Sequence, residues 1–181
     1  MKNKEEEMLK SKLKRLEKRF TEFPELLGFS GGVSMNNILL AQKEAGLCFP
    51  VSYQWFLLTF GMGSFGDFEI FGLSETEDGK LKRESTLPDV IFALKLLRQN
   101  KGLPKEYLPF CGDGFGGYYF IRAVPGNHED SYVYFGDMKA GQMELVPLSI
   151  TFADFLSKRV QEIAEQNAGE RFWEYGWKDK G

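Results

Sequence analysis

Twelve residues, FCGDGFGGYYFI at positions 110–121, constrain the fold of this chain more than any other stretch. Glycines at 112, 114, 116 and 117 invite comparison with a loop that cradles phosphate. Such a loop works because it follows a strand and opens a helix, whose free N–H groups and positive dipole end face the anion. Here the glycines lead instead into Tyr118, Tyr119, Phe120, Ile121, Arg122, Ala123 and Val124, an aromatic and β-favouring run closed by Pro125-Gly126-Asn127. No Gly-Lys-Ser/Thr follows the glycines. The stretch therefore reads as a tight connection between two antiparallel strands, with glycine supplying positive φ at little steric cost.

A hairpin of this kind needs a core to rest on, and 181 residues with 43% hydrophobic and 15% aromatic content can build one sizeable core but not two domains with linkers. The first twenty residues are highly charged and lack the apolar centre of a signal peptide, and no apolar run approaches the ~18 residues that cross a bilayer. A cytoplasmic protein with no membrane partner is expected. Cys48 and Cys111, each beside a phenylalanine, read as two small buried thiols in a reducing compartment, with a disulfide between them as the alternative.

The net charge of −3 is unevenly spread: residues 1–20 carry +4, which leaves −7 on the rest. An acidic body repels nucleic-acid backbones and suits a partner with a basic surface, so no nucleic acid is expected as a ligand.

Along the chain, Leu9, Leu13, Leu16, Phe20 and Phe23 recur at helical spacing up to Pro24, while Lys10, Lys12, Lys14, Arg15, Lys18 and Arg19 occupy the other faces. This predicts an amphipathic helix docked on its own domain with a solvated basic face, or else a basic arm for nucleic acid or anionic lipid. Ser34 caps a second helix that Gly46 stops, and a third starts at Pro50 and turns Tyr53, Phe56, Leu57 and Phe60 inward. A short strand follows at residues 67–71, a solvated turn at 75–79, and an apolar helix opened by Pro88 and running through Leu97.

Beyond Leu108-Pro109-Phe110, where Pro109 favours an edge position, strands are expected at 117–124 and 131–136, with a short run at 144–146. Thr151 and Asp154 resemble a capping box before Phe152, Phe155, Leu156, Val160 and Ile163. Strands at hairpin spacing between groups of helices indicate an α+β fold with a mainly antiparallel sheet flanked by helices. Residues 1–27 form the basic helix of this scheme, 28–166 the domain, and 167–181 an aromatic tail.

Chemistry of catalysis is hard to find. His128 is the only histidine and sits in a polar stretch between strands, and neither cysteine has metal-ligand spacing or a nucleophile's context. Carboxylate pairs at Asp67/Glu69, Glu129/Asp130 and Asp113/Asp137 read as solvated loop acids, since acid–base work needs two of them in a pocket with separated pKa values. No cofactor, metal or enzymatic activity is expected.

The order of these segments resembles the SUKH superfamily, which includes Smi/Knr-type yeast cell-wall regulators and many bacterial toxin-immunity proteins. The resemblance is carried by Glu44, Gly46-Leu47-Cys48-Phe49-Pro50, Tyr53, Phe56-Leu57, Gly61-Met62-Gly63 and Ile70-Phe71-Gly72-Leu73. It continues through Leu108-Pro109-Phe110, Asp113-Gly114-Phe115-Gly116, Tyr118-Tyr119-Phe120, Val133-Tyr134 and Thr151-Phe152-Ala153-Asp154-Phe155-Leu156. Three positions depart from the family pattern: Cys48-Phe49-Pro50 replaces a Leu-Pro ending, Phe60-Gly61-Met62-Gly63 an Asn-Gly-Gly turn, and Thr151 a serine. Each keeps the physical role.

What the resemblance implies is a protein-binding module, and foremost an immunity protein that neutralises a cognate toxin, for example a nuclease, in the cytoplasm. A regulatory scaffold binding a host protein is the alternative, and an unrecognised hydrolase a more distant one. Candidate partner-binding residues are the turn acids Asp67, Glu69, Asp113, Glu129, Asp130 and Asp137, together with the aromatic residues Trp173, Tyr175 and Trp177.

Overall fold

The computed structural model describes residues 2–124, 130–139 and 142–176. Helix α1 (Lys2–Thr21) ends before Pro24, which opens a single 3₁₀ turn (Pro24–Leu26) into strand β1 (Leu27–Phe29). The predicted stripe faces inward: Leu13, Leu16 and Phe20 are buried. The Phe20 ring meets Phe29, Phe60 and Phe65 at centroid distances of 5.6, 4.8 and 5.2 Å. Lys12 ties the same helix to Asp154 with an ion pair of 2.7 Å.

Helix α2 (Met35–Ala45) has the expected ends, with the Ser34 hydroxyl accepting from the Asn37 N–H and Gly46 adopting the left-handed conformation that closes it. Its N-terminus has a second, distant cap. The Glu75 carboxylate accepts from the Ser34 N–H at 2.5 Å and from the Asn37 side-chain amide at 2.6 Å. These two donors hold the Glu75 carboxyl below the usual carboxylate range, the Ser34 N–H being the larger cause.

Helix α3 (Val51–Thr59) begins after Pro50 and buries Tyr53, Phe56 and Leu57. The Tyr53 hydroxyl donates to the Phe71 carbonyl at 2.8 Å, so the burial of this polar group is compensated. Strands β2 (Gly63–Phe65) and β3 (Phe68–Ile70) join β1 in a three-stranded sheet ordered β1-β2-β3. Strands β4 (Ser74–Glu75) and β5 (Leu81–Lys82) form a small hairpin around the predicted solvated turn.

Helix α4 (Val90–Lys101) starts two residues later than Pro88 suggests, because Asp89 is the cap: its carboxylate accepts from the Ile91 and Phe92 N–H groups at 2.8 and 2.9 Å. The second sheet runs in the order β6-β7-β8-β9 through β6 (Tyr107–Gly112), β7 (Tyr118–Arg122), β8 (Tyr132–Lys139) and β9 (Gln142–Thr151). Every pairing between these strands is antiparallel. Pro109 lies in β6, at an edge of this sheet, and the register shifts there between Pro109 and Cys111.

The opposite edge is β9, which is far longer than the short apolar run seen in the sequence. Its pairing with β8 is irregular: Tyr132 faces Thr151 and Tyr134 faces Pro147, so residues 148–150 stand opposite Val133 alone and β9 carries two extra residues, with Ser149 at φ +53°.

Helix α5 (Phe152–Gly176) starts at the expected capping box, where Asp154 N–H donates to Thr151 Oγ1 at 3.4 Å and the Thr151 hydroxyl donates to Asp154 at 3.0 Å. It runs unbroken to Gly176, so residues 167–176, expected as the start of a tail, continue the helix. The helix covers one face of the second sheet, with Phe155 against Tyr119 and Phe110 at 5.0 and 5.4 Å. On the other face Lys101, at the end of α4, sits 4.9 Å above the Tyr118 ring. One continuous core joins both sheets to all five helices, with the Phe71 N–H bonded to the Phe110 carbonyl at 2.7 Å where the sheets meet. The fold is a single α+β domain.

Candidate functional site

The glycine stretch is a hairpin turn, as its flanking strands required. Gly112 pairs with Tyr118, and inside that pair the Asp113 N–H donates to the Gly117 carbonyl at 3.0 Å. The Asp113 carboxylate organises the rest, its Oδ1 accepting from the Phe115 N–H at 2.8 Å and the Gly117 N–H at 2.9 Å. Gly114 and Gly116 take φ of +81° and +102°, which a side chain would resist. Between them stands Phe115, 96% exposed. Lys101 braces the turn from α4 by donating to the Gly116 carbonyl at 3.1 Å.

Gly117 closes the turn for a second reason. A Cβ there would lie 2.5 Å from Asp113 Oδ2 and 2.6 Å from the Phe135 ring. Thus the acid that holds the turn and the ring beneath it leave room for hydrogen alone.

This turn walls one side of an open cleft of about 960 Å³. Facing it are Asp67 from the link before β3, Phe68 and Glu69 of β3, and the Arg159 side chain from α5, with Phe71 and Leu87 also lining the cleft. The sequence of β3 explains the arrangement: Phe65 pairs with Phe68, so Gly66 and Asp67 form the hairpin link, and alternation then buries Phe68 and Ile70 while Glu69 points out. Asp67 and Glu69 are exposed, and among the described residues neither side chain has a hydrogen-bond or ion-pair partner. Arg159 lies one helical turn beyond Phe155, with its guanidinium 5.3 Å from the Phe68 ring centroid and an ion pair of 2.9 Å to Glu162. Tyr118 and Tyr119 extend the aromatic lining, and burial pushes the Tyr119 hydroxyl pKa up.

Three of the acids singled out in the sequence, Asp67, Glu69 and Asp113, therefore share one cleft. Asp137 follows Gly136, the partner of Tyr118, which brings it to the same end of the sheet. Asp130 goes elsewhere. It precedes β8 at the far end and accepts a hydrogen bond of 2.5 Å from the buried Ser52 hydroxyl, so it belongs to the packing of α3. Glu129, His128 and Trp177 lie outside the described residues, and so do the side chains of Trp173 and Tyr175, whose backbone belongs to α5.

Sequence reasoning missed Phe115, Lys101 and Arg159. Phe115 had a signal, since a large apolar residue between two glycines of a tight turn has nothing to pack against. Arg159 had none, being one cation among several on a helix.

The thiols are both free, and burial raises the Cys111 thiol pKa well above its ordinary value. Among the described residues no group of three or more His, Cys, Asp and Glu side chains is placed to hold a metal ion, and no helix is long and apolar enough to cross a membrane.

No curated protein matches the chain. A family model does: the SMI1 / KNR4 family (SUKH-1), over residues 32–158. That interval begins just before α2 and ends inside α5, taking in the Asp113 turn, β3 and all of the second sheet. With most of its length and the whole cleft wall except Arg159 inside the match, the chain belongs to the SMI1/KNR4 (SUKH-1) family.

Proposed function

We propose that this protein is an immunity protein, which binds a toxin in the cytoplasm and holds it inactive, a nuclease being the toxin its charge suits best. The observation that carries this reading is Phe115, held almost fully exposed by a hydrogen-bonded turn beside an acidic cleft. A rigid, exposed aromatic residue is an anchor in waiting: burying it against a partner is worth roughly 1.5–3 kcal/mol, with little ordering cost to subtract. The exposed carboxylates of Asp67 and Glu69 alongside it give the surface a sign, and a nuclease needs a cationic cleft to hold its substrate. Membership of a family that includes toxin-immunity proteins supports the reading. Binding needs no reactive centre, which fits carboxylates placed on a rim.

The test is a pull-down from source cells with the tagged chain and with its Phe115→Ala variant, followed by expression of the recovered partner in a naive host. The expected result is a partner held in stoichiometric amount by the native chain, weakly by the variant, and lethal unless the chain is present. A partner that is harmless to the host, such as a regulator of the cell's own metabolism, overturns the immunity reading in favour of a scaffold.

A further inference from the structure

The cleft beside Phe115 already contains a guanidinium of its own. Arg159 reaches in from α5, lies 5.3 Å from the Phe68 ring centroid, and shares the cleft with Asp67, Glu69 and Asp113. It forms an ion pair with none of them. Its partner is Glu162, one turn further along the same helix. The two side chains of that pair are 40% and 38% exposed, and half-exposed pairs of this spacing hold a side chain only weakly. Two carboxylates in the cleft, Asp67 and Glu69, have no partner among the described residues, while Asp113 is committed through one oxygen to its own turn. The cleft thus shows how a planar cation fits against Phe68, holds that place loosely, and keeps acid in excess.

We propose that the cleft reads an arginine side chain of the bound protein, and that Arg159 is a specificity-determining residue which occupies the guanidinium position until the incoming arginine takes it. The inference rests on the protein-binding reading given above and names the chemistry of what enters the cleft. The exchange is cheap because the Glu162 pair that steadies Arg159 in the cleft is half-exposed and costs little to release. It favours arginine over lysine because a planar guanidinium stacks on an aromatic ring and engages carboxylates with a fork of donors, whereas an ammonium is a more strongly hydrated point charge. A chain whose site is held by such a competitor rejects weakly complementary cations, since each must first displace Arg159.

The experiment uses the full chain and two labelled probes, a hexa-arginine and a hexa-lysine peptide, with affinities read by fluorescence anisotropy and the site located by amide chemical shifts. The native chain is expected to prefer the arginine peptide, with shifts concentrated at residues 66–69 and 112–119. Arg159→Gln is expected to tighten arginine-peptide binding by about two- to fivefold, the range set by releasing a half-exposed ion pair. Arg122→Gln, which makes the same charge change at an exposed position at the far end of β7, is the control and is expected to leave affinity unchanged. Asp67→Asn with Glu69→Gln is expected to abolish the preference, and thermal melts of each variant check that the fold is kept.

Weakened or unchanged binding in Arg159→Gln, an equal gain in Arg122→Gln, equal affinity for the two peptides, or shifts scattered over the surface would overturn the proposal. The outcomes separate from those of the immunity test. A toxin neutralised with no effect of Arg159→Gln defeats this inference alone, and arginine selectivity in a chain that protects against no toxin defeats the immunity reading alone.

Discussion

Phe115 and Asp113 divide their work in a way that mutation can separate. Phe115 makes no packing contribution at 96% exposure, whereas Asp113 uses Oδ1 to hold two N–H groups of the turn. Phe115→Ala is expected to shift stability by less than about 0.5 kcal/mol in denaturant titration, yet to weaken partner binding by about tenfold or more. Asp113→Ala is expected to lose both, because the turn loosens and the anchor is no longer held out.

Glu75 gives a residue-scale test of pH dependence. Its folded pKa is depressed, chiefly by the Ser34 N–H, so its stabilising effect is full above the ordinary carboxylate pKa and is lost as pH falls through the folded value. Glu75→Gln is expected to cost on the order of 1 kcal/mol at neutral pH, discounted for its partial exposure, and the gap to the native chain should close in acid. Thermal melts of both proteins across the acid range would show it, and a gap that widens in acid would contradict the assignment.

At the scale of elements, what could be read from the chain depended on how local the determinants are. Helix α2 was legible because Ser34 and Gly46 act within one turn of its ends, and the hairpin at Asp113 because its glycines and its aromatic strand adjoin. Strands β1, β2, β4 and β5 were not legible, since two or three residues carry no periodicity and pair only because distant segments meet. The start of α4 was misjudged because Pro88 is a helix-opening residue in general, while Asp89 is the one whose carboxylate reaches the free N–H groups. The cleft was half legible: its acids stand in turns that sequence reveals, but Asp130 looks the same there and only its bond to Ser52 removes it.

Helix α1 lies outside the family match yet inserts Phe20 among three rings of the core. Phe20→Ala is expected to destabilise by about 3–5 kcal/mol in chemical denaturation, the range for emptying a buried phenylalanine site. A helix that served only as a detachable arm would give a much smaller loss.

Across the whole molecule, the charge map matters more than any single pair. Residues 1–20 carry +4 against −7 elsewhere, so the protein is a dipole of sorts, with a basic helix packed on an acidic body. A cationic partner should be steered to the acidic side. Raising salt well past the point where the screening length falls to about 10 Å is expected to slow association by tenfold or more and to alter dissociation little, as read by stopped-flow mixing with the recovered partner. Equal slowing of both phases would mean that charge acts after docking.

The irregular outer edge of β9 bears on how the molecule can meet its partners at all. Pro147 removes a hydrogen-bond donor, and residues 148–150 with Ser149 at φ +53° break the straight row of backbone groups that a neighbouring chain would need. A sheet margin interrupted in this way resists being lengthened by foreign strands, which protects a long, otherwise open border from fibre-like growth in a crowded cell. Under the proposed reading, recognition falls to the opposite end of the sheet, where the Asp113 turn presents side chains and offers no backbone to copy.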